Sequence, residues 1–190
     1  MKHAFAAMAA VLCLSAQLAS AQQAPNLLAD PGFEEWAGDP SSTNWVVFNN
    51  AQCVSITPRT KRWNVKMWGG FKKEENHSGI YQDVPAVAGK SYVASAYLRQ
   101  NSDDHLAGDT VAWMKLEYFD AARSRLLVTF ESPVKLDAKS PSKKYIFIST
   151  GATTAPKDAA WARVVVLLRQ GADNGGGAAL VDDVSLTQLP

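Results

Sequence analysis

The sequence has little cysteine, with only Cys13 and Cys53 among 190 residues. Cys13 lies in an apolar N-terminal run, so a single cysteine belongs to the rest of the chain and no intrachain disulfide can form there. Cys53 sits in a segment that alternates like a strand, which favours a small buried hydrophobe over a nucleophile. Stability must therefore come from packing, with a bound metal ion as a further source.

An excess of charge of either sign is also missing. Lys and Arg number 19 and Asp and Glu number 18. Loss of Lys2 with an N-terminal leader leaves 18 of each, since the leader contains no acid. A neutral protein has no overall attraction to nucleic acid or to a membrane surface, so we predict neither as a partner.

Motifs that demand catalysis are absent as well. The sequence contains no Gly-x-Ser-x-Gly, no His-Glu-x-x-His and no P-loop. Beyond the leader, His77 and His105 are the two histidines, and both fall in polar stretches typical of loops. We therefore predict a protein that is not an enzyme.

The N-terminus has the pattern of a secretory signal peptide. Lys2 precedes an apolar run over residues 4–18, and Ala19-Ser20-Ala21 supplies small residues for cleavage. The run is too short to span a bilayer, so membrane insertion is not expected. We predict a signal peptide over residues 1–21, a single domain over residues 22–190, and a secreted or periplasmic location.

Short segments of alternating polar and apolar residues, separated by turn residues, follow one another along the rest of the chain. None has the period of an amphipathic helix, so the pattern predicts an all-β sandwich. The predicted strands are residues 27–28, 44–48, 53–57, 64–68, 79–84, 91–100, 110–119, 126–130, 145–149, 161–170 and 178–186.

Acidic residues lie close to both ends of this domain. The last strand places Asp182 and Asp183 inside an apolar run, and a carboxylate there is costly to bury unless a cation or hydrogen-bond donors hold it. Near the start, residues 26–34 combine an apolar strand, a Pro-Gly turn and Glu34. We predict that the two ends lie together and close one sandwich.

Several short motifs, in their order and spacing, resemble the jelly-roll carbohydrate-binding modules of the galactose-binding-domain-like superfamily. These modules accompany enzymes that degrade xylan and glucan. The resemblance implies a two-sheet antiparallel jelly roll of eight or more strands that binds a polysaccharide or oligosaccharide without catalysis. The motifs are residues 26–28, 31–34, 78–84, 89–92, 155–156, 161–168 and 180–186.

The same resemblance implies a structural calcium ion. In many members it links the acid after the opening Gly-Phe to an acid of the closing strand, here Glu34 and Asp182, with Asp183 as the fallback. Trp63-Asn64 stands where the family commonly has a small-Gly pair, which departs from the pattern. The alternative is that the acids bond to backbone or to basic side chains.

The strand alternation also predicts a ligand face. If alternate residues face the core, three strands turn a second set of side chains away from it. An aromatic ring among charged hydrogen-bonding groups suits sugar recognition, because the ring stacks on a pyranose and the polar groups hold hydroxyls. The predicted set is Tyr97, Arg99, Trp113, Lys115, Glu117, Arg163 and Arg169, and a second candidate group is the loop-end aromatics Trp45, Trp63 and Trp68. The alternative is an ordinary solvated or loop-covered sheet face on which Lys115 and Glu117 pair with neighbouring side chains.

Two other functions stay open. A structural or adhesive sandwich that binds a protein partner has no sequence feature that separates it from a sugar binder. A jelly-roll polysaccharide lyase would use Tyr or His as a base, and residues 79–82 faintly resemble that family's Tyr-x-Gln segment. The Arg-Glu-Leu-Arg strand and the Gln-x-His of such lyases are absent.

Overall fold

Ten antiparallel strands form two five-stranded sheets that pack face to face. The computed structural model describes residues 24–36 and 44–190, so the predicted signal peptide lies outside the described residues. The strands are β1 Val46–Phe48, β2 Ala51–Val54, β3 Asn64–Trp68, β4 Asn76–Pro85, β5 Ser91–Gln100, β6 Val111–Phe119, β7 Leu126–Glu131, β8 Ile146–Thr154, β9 Trp161–Gln170 and β10 Ala178–Gln188. The predicted all-β sandwich is confirmed.

The two sheets have different strand orders. Sheet A runs β1-β4-β9-β6-β7, and sheet B runs β2-β3-β10-β5-β8. Of the successive strand pairs, only β2–β3 and β6–β7 are neighbours in one sheet. The chain thus changes sheet at most of its connections, and this crossing decides which side chains share a surface.

The core lies between the sheets and follows the period of two. Along β5, Tyr92, Ala94, Ala96 and Leu98 are buried, while the residues between them are half-buried. The inward residues of β6 and β9 are fully buried as predicted, namely Ala112, Met114, Leu116, Tyr118, Ala162, Val164, Val166 and Leu168. The alternation therefore predicted the inner face of all three strands correctly.

The first and last segments of the domain lie side by side. The Leu27 amide donates to the Leu186 carbonyl at 2.8 Å, and the Val184 amide donates to the Pro31 carbonyl at 2.9 Å. Asn26 adds two bonds to β10, donating to the Val184 carbonyl and accepting from the Leu186 amide. The predicted closure of the ends is confirmed, although residues 27–28 form no regular strand.

Among the described residues, no helix is long and apolar enough to cross a membrane.

Candidate functional site

The structure divides the predicted ligand face between two opposite surfaces. Tyr97 and Arg99 lie on β5 in sheet B, whereas β6 and β9 belong to sheet A. Because the sheets pack through their inner faces, their outward residues point away from each other. The prediction that these residues share one face is wrong, since the chain crosses between sheets after β5. Sheet A carries Trp113, Lys115, Glu117, Arg163 and Arg169.

On the outer face of sheet A, the aromatic ring of that group is covered. Trp113 is only 5% exposed and packs with Val165 and Leu167, beside the half-buried Phe48 and Tyr81. The Lys135 ammonium lies 4.5 Å from the Trp113 ring centroid. The Lys115 ammonium lies 5.5 Å from that centroid, and the His77 ring lies edge-on at 6.2 Å. We call this surface the Trp113 face; it offers no open ring for stacking.

Most charges on the Trp113 face are paired with one another. Glu131 bonds Lys135 at 3.1 Å and lies 3.4 Å from Lys115. Arg169 pairs with Glu75 at 3.5 Å and with Asp109 at 3.6 Å. These groups satisfy each other without a ligand, so the surface is stable as it stands.

Glu117 is the exception on this face. It has no ion pair within 4 Å among the described residues, and burial raises the pKa of its carboxyl group, opposed by the charges of Lys115 and Arg163. Its predicted role in ligand binding stays a prediction.

Arg163 anchors the same face at one end. Its guanidinium donates two hydrogen bonds to the Asp83 carboxylate, at 2.6 and 3.0 Å. It also lies 4.0 Å from the Tyr81 ring centroid. We expect Arg163→Lys to lower the free energy of unfolding by about 1–2 kcal/mol, because an ammonium cannot make the paired bonds or stack as a plane. Urea unfolding measures the change. A loss below ~0.3 kcal/mol would mean that the ion pair contributes little.

A groove opens on the outer face of sheet B. Its volume is about 440 Å³, and it is lined by strands β5, β8 and β10 together with Asn26 and Pro31. Phe147 on β8 is 54% exposed, and its ring lies 5.3 Å from the Tyr97 ring. The side chains that give the groove its chemistry are Ser95, Tyr97, Phe147, Asp183, Ser185 and Thr187. We call this the Tyr97–Phe147 groove.

The Tyr97 ring is held from one side by Arg59. The Arg59 guanidinium lies 3.5 Å from the ring centroid and forms an ion pair with Asp183. Next to the rings, the Ser95 and Ser185 hydroxyls are 2.7 Å apart and hydrogen-bonded. The groove thus places aromatic rings beside a row of hydroxyl groups.

The other predicted residues of sheet B and its loops serve different contacts. Arg99 donates to the Ser142 carbonyl at 3.3 Å and to the Ser102 hydroxyl at 2.8 Å. Trp63 is half-buried against the core, and Trp68 is half-buried with Lys66 at 5.8 Å from its ring. Trp45 is buried. None of these lines the Tyr97–Phe147 groove.

Phe147 is the aromatic groove residue that sequence reasoning missed, together with the hydroxyl residues Ser95, Ser185 and Thr187. It lies between Ile146 and Ile148 in an apolar strand, so its type alone does not separate it from a core residue. Only Ile148 is fully buried there, and the period of two places Phe147 on the opposite side. An alternation analysis of β8 would have found it.

The acids at the ends are held by N–H groups. Asp182 is fully buried and accepts from the Arg59 and Thr60 amides at 2.8 and 3.2 Å, while Glu34 accepts from two further backbone amides. Burial raises the pKa of Asp182 to about 6, although its backbone hydrogen bonds oppose that rise. Of the two ways to hold a buried carboxylate that the sequence left open, hydrogen-bond donors are present.

These carboxylates have few oxygens that do not already accept a hydrogen bond. Calcium takes six to eight oxygen ligands, whereas both Asp182 oxygens and the Glu34 Oε1 atom already accept hydrogen bonds. Across residues 24–36 and 44–190, no group of three or more Asp, Glu, His or Cys side chains could hold a metal ion. The calcium ion stays a prediction.

Cys53 is a poor nucleophile. Burial raises the pKa of its thiol to about 11, and the charges of Asp30, Glu34 and Asp182 add to that rise. The thiol is protonated at neutral pH, in keeping with the predicted role as a small packed residue.

The fold is that of β-sandwich carbohydrate-binding modules. The chain is 15% identical to TmCBM61, solved with β-1,4-galactotriose, covering 87% of this chain and 99% of that chain at a TM-score of 0.53. It is 14% identical to the C-terminal family 22 module of Clostridium thermocellum Xyn10B, covering 82% and 89% at a TM-score of 0.52. No protein-family model and no curated protein matches the sequence.

The same fold occurs in chains named as enzymes. A cyclase from Fischerella sp. TAU is 12% identical, covering 88% of this chain and 98% of that chain at a TM-score of 0.57. A second match covers 86% of this chain and 21% of the enzymatically active domain of bacteriophage CBA120 tailspike protein 4, at 9% identity and a TM-score of 0.59. At these identities the likeness establishes the fold and leaves function to the site.

Proposed function

We propose that the protein is a secreted, non-catalytic carbohydrate-binding protein that holds a sugar ring of a polysaccharide in the Tyr97–Phe147 groove. One observation carries the proposal: Phe147 is 54% exposed beside Tyr97 and above a row of hydroxyl side chains. Export would follow from the predicted signal peptide over residues 1–21.

The chemistry of the groove suits a neutral sugar. An exposed aromatic ring packs on the apolar face of a pyranose, and hydroxyl side chains both donate to and accept from sugar hydroxyls. Ser95, Ser185 and Thr187 supply such groups, and the Asp183 charge is compensated by Arg59. The groove volume of about 440 Å³ falls within the range of small-ligand sites.

The Trp113 face is the weaker site for a sugar. Its tryptophan is 5% exposed, and a ligand would have to displace Lys135 to reach the ring. Its charged groups would also have to leave their present ion-pair partners, at a cost in free energy. The proposal therefore assigns the ligand to Tyr97 and Phe147.

Binding to a glycan array, followed by titration calorimetry with the best ligand, tests the proposal; xylohexaose and β-1,4-galactotriose are the first soluble probes. β-1,4-Galactotriose is named for TmCBM61, and xylohexaose is named for a chain that joins a CBM22-1 module to a GH10 module. We expect Phe147→Ala to weaken binding at least about tenfold, because the stacking contact is lost. Tyr97→Phe keeps the ring and should retain most of the affinity.

Phe71→Ala is the matched control. Phe71 is 51% exposed, but it lies beside a separate polar pocket lined by Asn49, Gly70 and Asn76 among others. Wild-type affinity in Phe147→Ala together with weaker binding in Phe71→Ala would move the site to that pocket. A protein that binds no glycan on the array would contradict the proposed function altogether.

The second candidate is a structural or adhesive protein that binds a protein partner. The apolar floor of the Trp113 face favours it, since Trp113, Val165 and Leu167 pack on the outside of a sheet. An absence of glycan binding would support this candidate.

A lyase is disfavoured by the placement of its two candidate side chains. Gln82 points away from Tyr81 and pairs through its amide with the backbone of Ala29. The Tyr81 ring is covered by Arg163 at 4.0 Å. Uronate polymers incubated with the protein should therefore yield no unsaturated product.

A further inference from the structure

Side chains from the first and the last segments of the domain both accept hydrogen bonds from the connection between β2 and β3. This segment, residues 55–63, is called the β2–β3 loop below. Glu34 from the first segment accepts from the Arg62 and Trp63 amides, both at 3.0 Å. Asp182 from β10 accepts from the Arg59 and Thr60 amides. The loop is therefore a bridge between the first and last parts of the domain.

Each carboxylate sits in a pair of successive backbone N–H groups. Consecutive amides that converge on one oxygen form an anion-binding concavity, with the positive ends of the N–H dipoles directed inward. Such a concavity has the opposite polarity to a cation site, which presents lone pairs. The β2–β3 loop makes two of them, one around Glu34 and one around Asp182.

The neighbouring Asp183 completes the arrangement with a cation from the protein itself. Its oxygens accept from the Thr60 hydroxyl at 2.7 Å and from the Arg59 guanidinium. The other contact of that guanidinium is the Tyr97 ring, at 3.5 Å. Arg59 thus brings a fixed positive charge to the two adjacent aspartates.

Few oxygens remain for a metal ion at this place. The Asp182 Oδ1 atom accepts from the Asp183 amide at 2.8 Å, so both of its oxygens are used. The Thr57 carbonyl accepts from the Tyr145 hydroxyl, and the Ile56 carbonyl accepts from the Asn64 amide. Among the described residues, the buried Asn64 Oδ1 atom lacks a partner, and the Glu34 Oε2 atom accepts no hydrogen bond because both amides bond to Oε1. Two side-chain oxygens are far short of the six to eight oxygen ligands that calcium takes.

The loop also adopts backbone conformations that need support. Thr57 and Lys61 have φ angles of +45° and +48°, in the left-handed region that non-glycine residues rarely enter. Tyr145 bonds to the Thr57 carbonyl itself. Lys61 lies between two residues whose amides bond to Asp182 and Glu34. These hydrogen bonds hold both residues in place. A loop held this way can act as a rigid cross-link.

We propose that the β2–β3 loop and Arg59 take the place of a structural cation, so that the chain itself locks the two ends of the sandwich together. The protein is then stable without calcium.

The first experiment uses the full mature protein and needs no variant. Thermal unfolding is followed by circular dichroism in EDTA and in millimolar CaCl2. We expect the two Tm values to agree within about 1 °C. A calcium site filled at a hundred times its Kd would raise Tm by about 5–10 °C, and that outcome would overturn the proposal.

Variants then test the lock directly. Arg59→Ala should lower Tm by about 3–8 °C, because the buried Asp182 and the half-buried Asp183 lose the cation that compensates their charge. Arg125→Ala is the control, since Arg125 is also ion-paired but lies on an exposed turn; its Tm should change by less than about 2 °C. Equal Tm values for the two variants would mean that Arg59 does not help to hold the two ends of the sandwich together.

Glu34→Gln distinguishes a carboxylate that accepts hydrogen bonds from loop amides from a carboxylate that binds calcium. A glutamine keeps an oxygen that can accept from the Arg62 and Trp63 amides but loses the charge that a calcium ligand supplies. We expect its Tm to be the same in EDTA and in CaCl2. If calcium stabilises the wild type and not Glu34→Gln, Glu34 is a metal ligand. These readouts use no glycan, so their failure is distinct from failure of the proposed function.

Discussion

We expect Gly79→Ala to lower the free energy of unfolding by about 3 kcal/mol, at the upper end of what overpacking costs. A Cβ atom at this position of β4 would lie 2.2 Å from the Val166 carbonyl oxygen and 2.9 Å from the Leu167 Cα atom. Both are backbone atoms of the neighbouring strand β9, so β4 and β9 would have to separate. The added methyl would also meet the Phe48 ring at 2.8 Å.

Gly176→Ala is the control for that variant. The nearest atom to a Cβ there is the Ala107 Cβ at 4.0 Å, so the methyl group fits and the change should be within about 0.5 kcal/mol. Urea unfolding followed by far-UV circular dichroism measures both variants. If Gly79→Ala is as stable as Gly176→Ala, the strands are further apart at Gly79 than the structure has them.

Phe33→Ala should cost about 3–5 kcal/mol, the usual loss for a fully buried phenylalanine. Its ring is completely buried between Trp45, with centroids 5.4 Å apart, and Trp36, with centroids 6.3 Å apart. It also directly precedes Glu34, so a shift of this turn would misplace the carboxylate that binds the β2–β3 loop. Chemical denaturation of the purified variant gives the loss.

Phe71→Ala is a close match for it. Both phenylalanines have positive φ angles, +62° for Phe33 and +55° for Phe71, so backbone strain is the same before and after each change. Phe71 is 51% exposed, and its truncation should cost less than about 1 kcal/mol. Similar losses in the two variants would show that burial of the Phe33 ring contributes little.

The period of two was enough to predict most of the fold. Strands β3, β5 and β9 begin and end at the predicted residues, because each is bounded by turn residues. Strand β5 alternates throughout, whereas residues 164–168 of β9 are all buried. The opening residues 27–28 were wrongly predicted as a strand. The Leu27 amide does bond to β10, but the Asn26 side chain makes two of the neighbouring contacts. A side chain thus replaces part of the strand pairing, which no alternation rule anticipates.

The partition of strands between sheets could not be predicted in the same way. Alternation tells which side of a strand faces the core, but it is silent on which sheet the strand joins. Tyr97 and Trp113 both face outward, as predicted, and the crossover between β5 and β6 puts them on opposite surfaces. The prediction that all these side chains share one ligand face was wrong for this reason, although Tyr97 does line the Tyr97–Phe147 groove.

The acids show a different limit of sequence reasoning. Two adjacent carboxylates in an apolar strand predicted strong partners, and the structure provides them. The donors to Asp182 could not be identified from the sequence, because they are backbone amides of a loop whose own sequence has no distinctive pattern. Any residue types other than proline at 59–60 could present those two N–H groups, so only the path of the chain reveals them.

Asn26 and Thr187, near the two ends of the domain, both line the Tyr97–Phe147 groove. A neighbour tethered upstream or downstream would emerge on the same side and sit within reach of the occupied groove. Fusion tags for immobilisation would obstruct polymer access at either terminus, so a tether to the Asp120–Arg125 hairpin turn leaves that entrance clear.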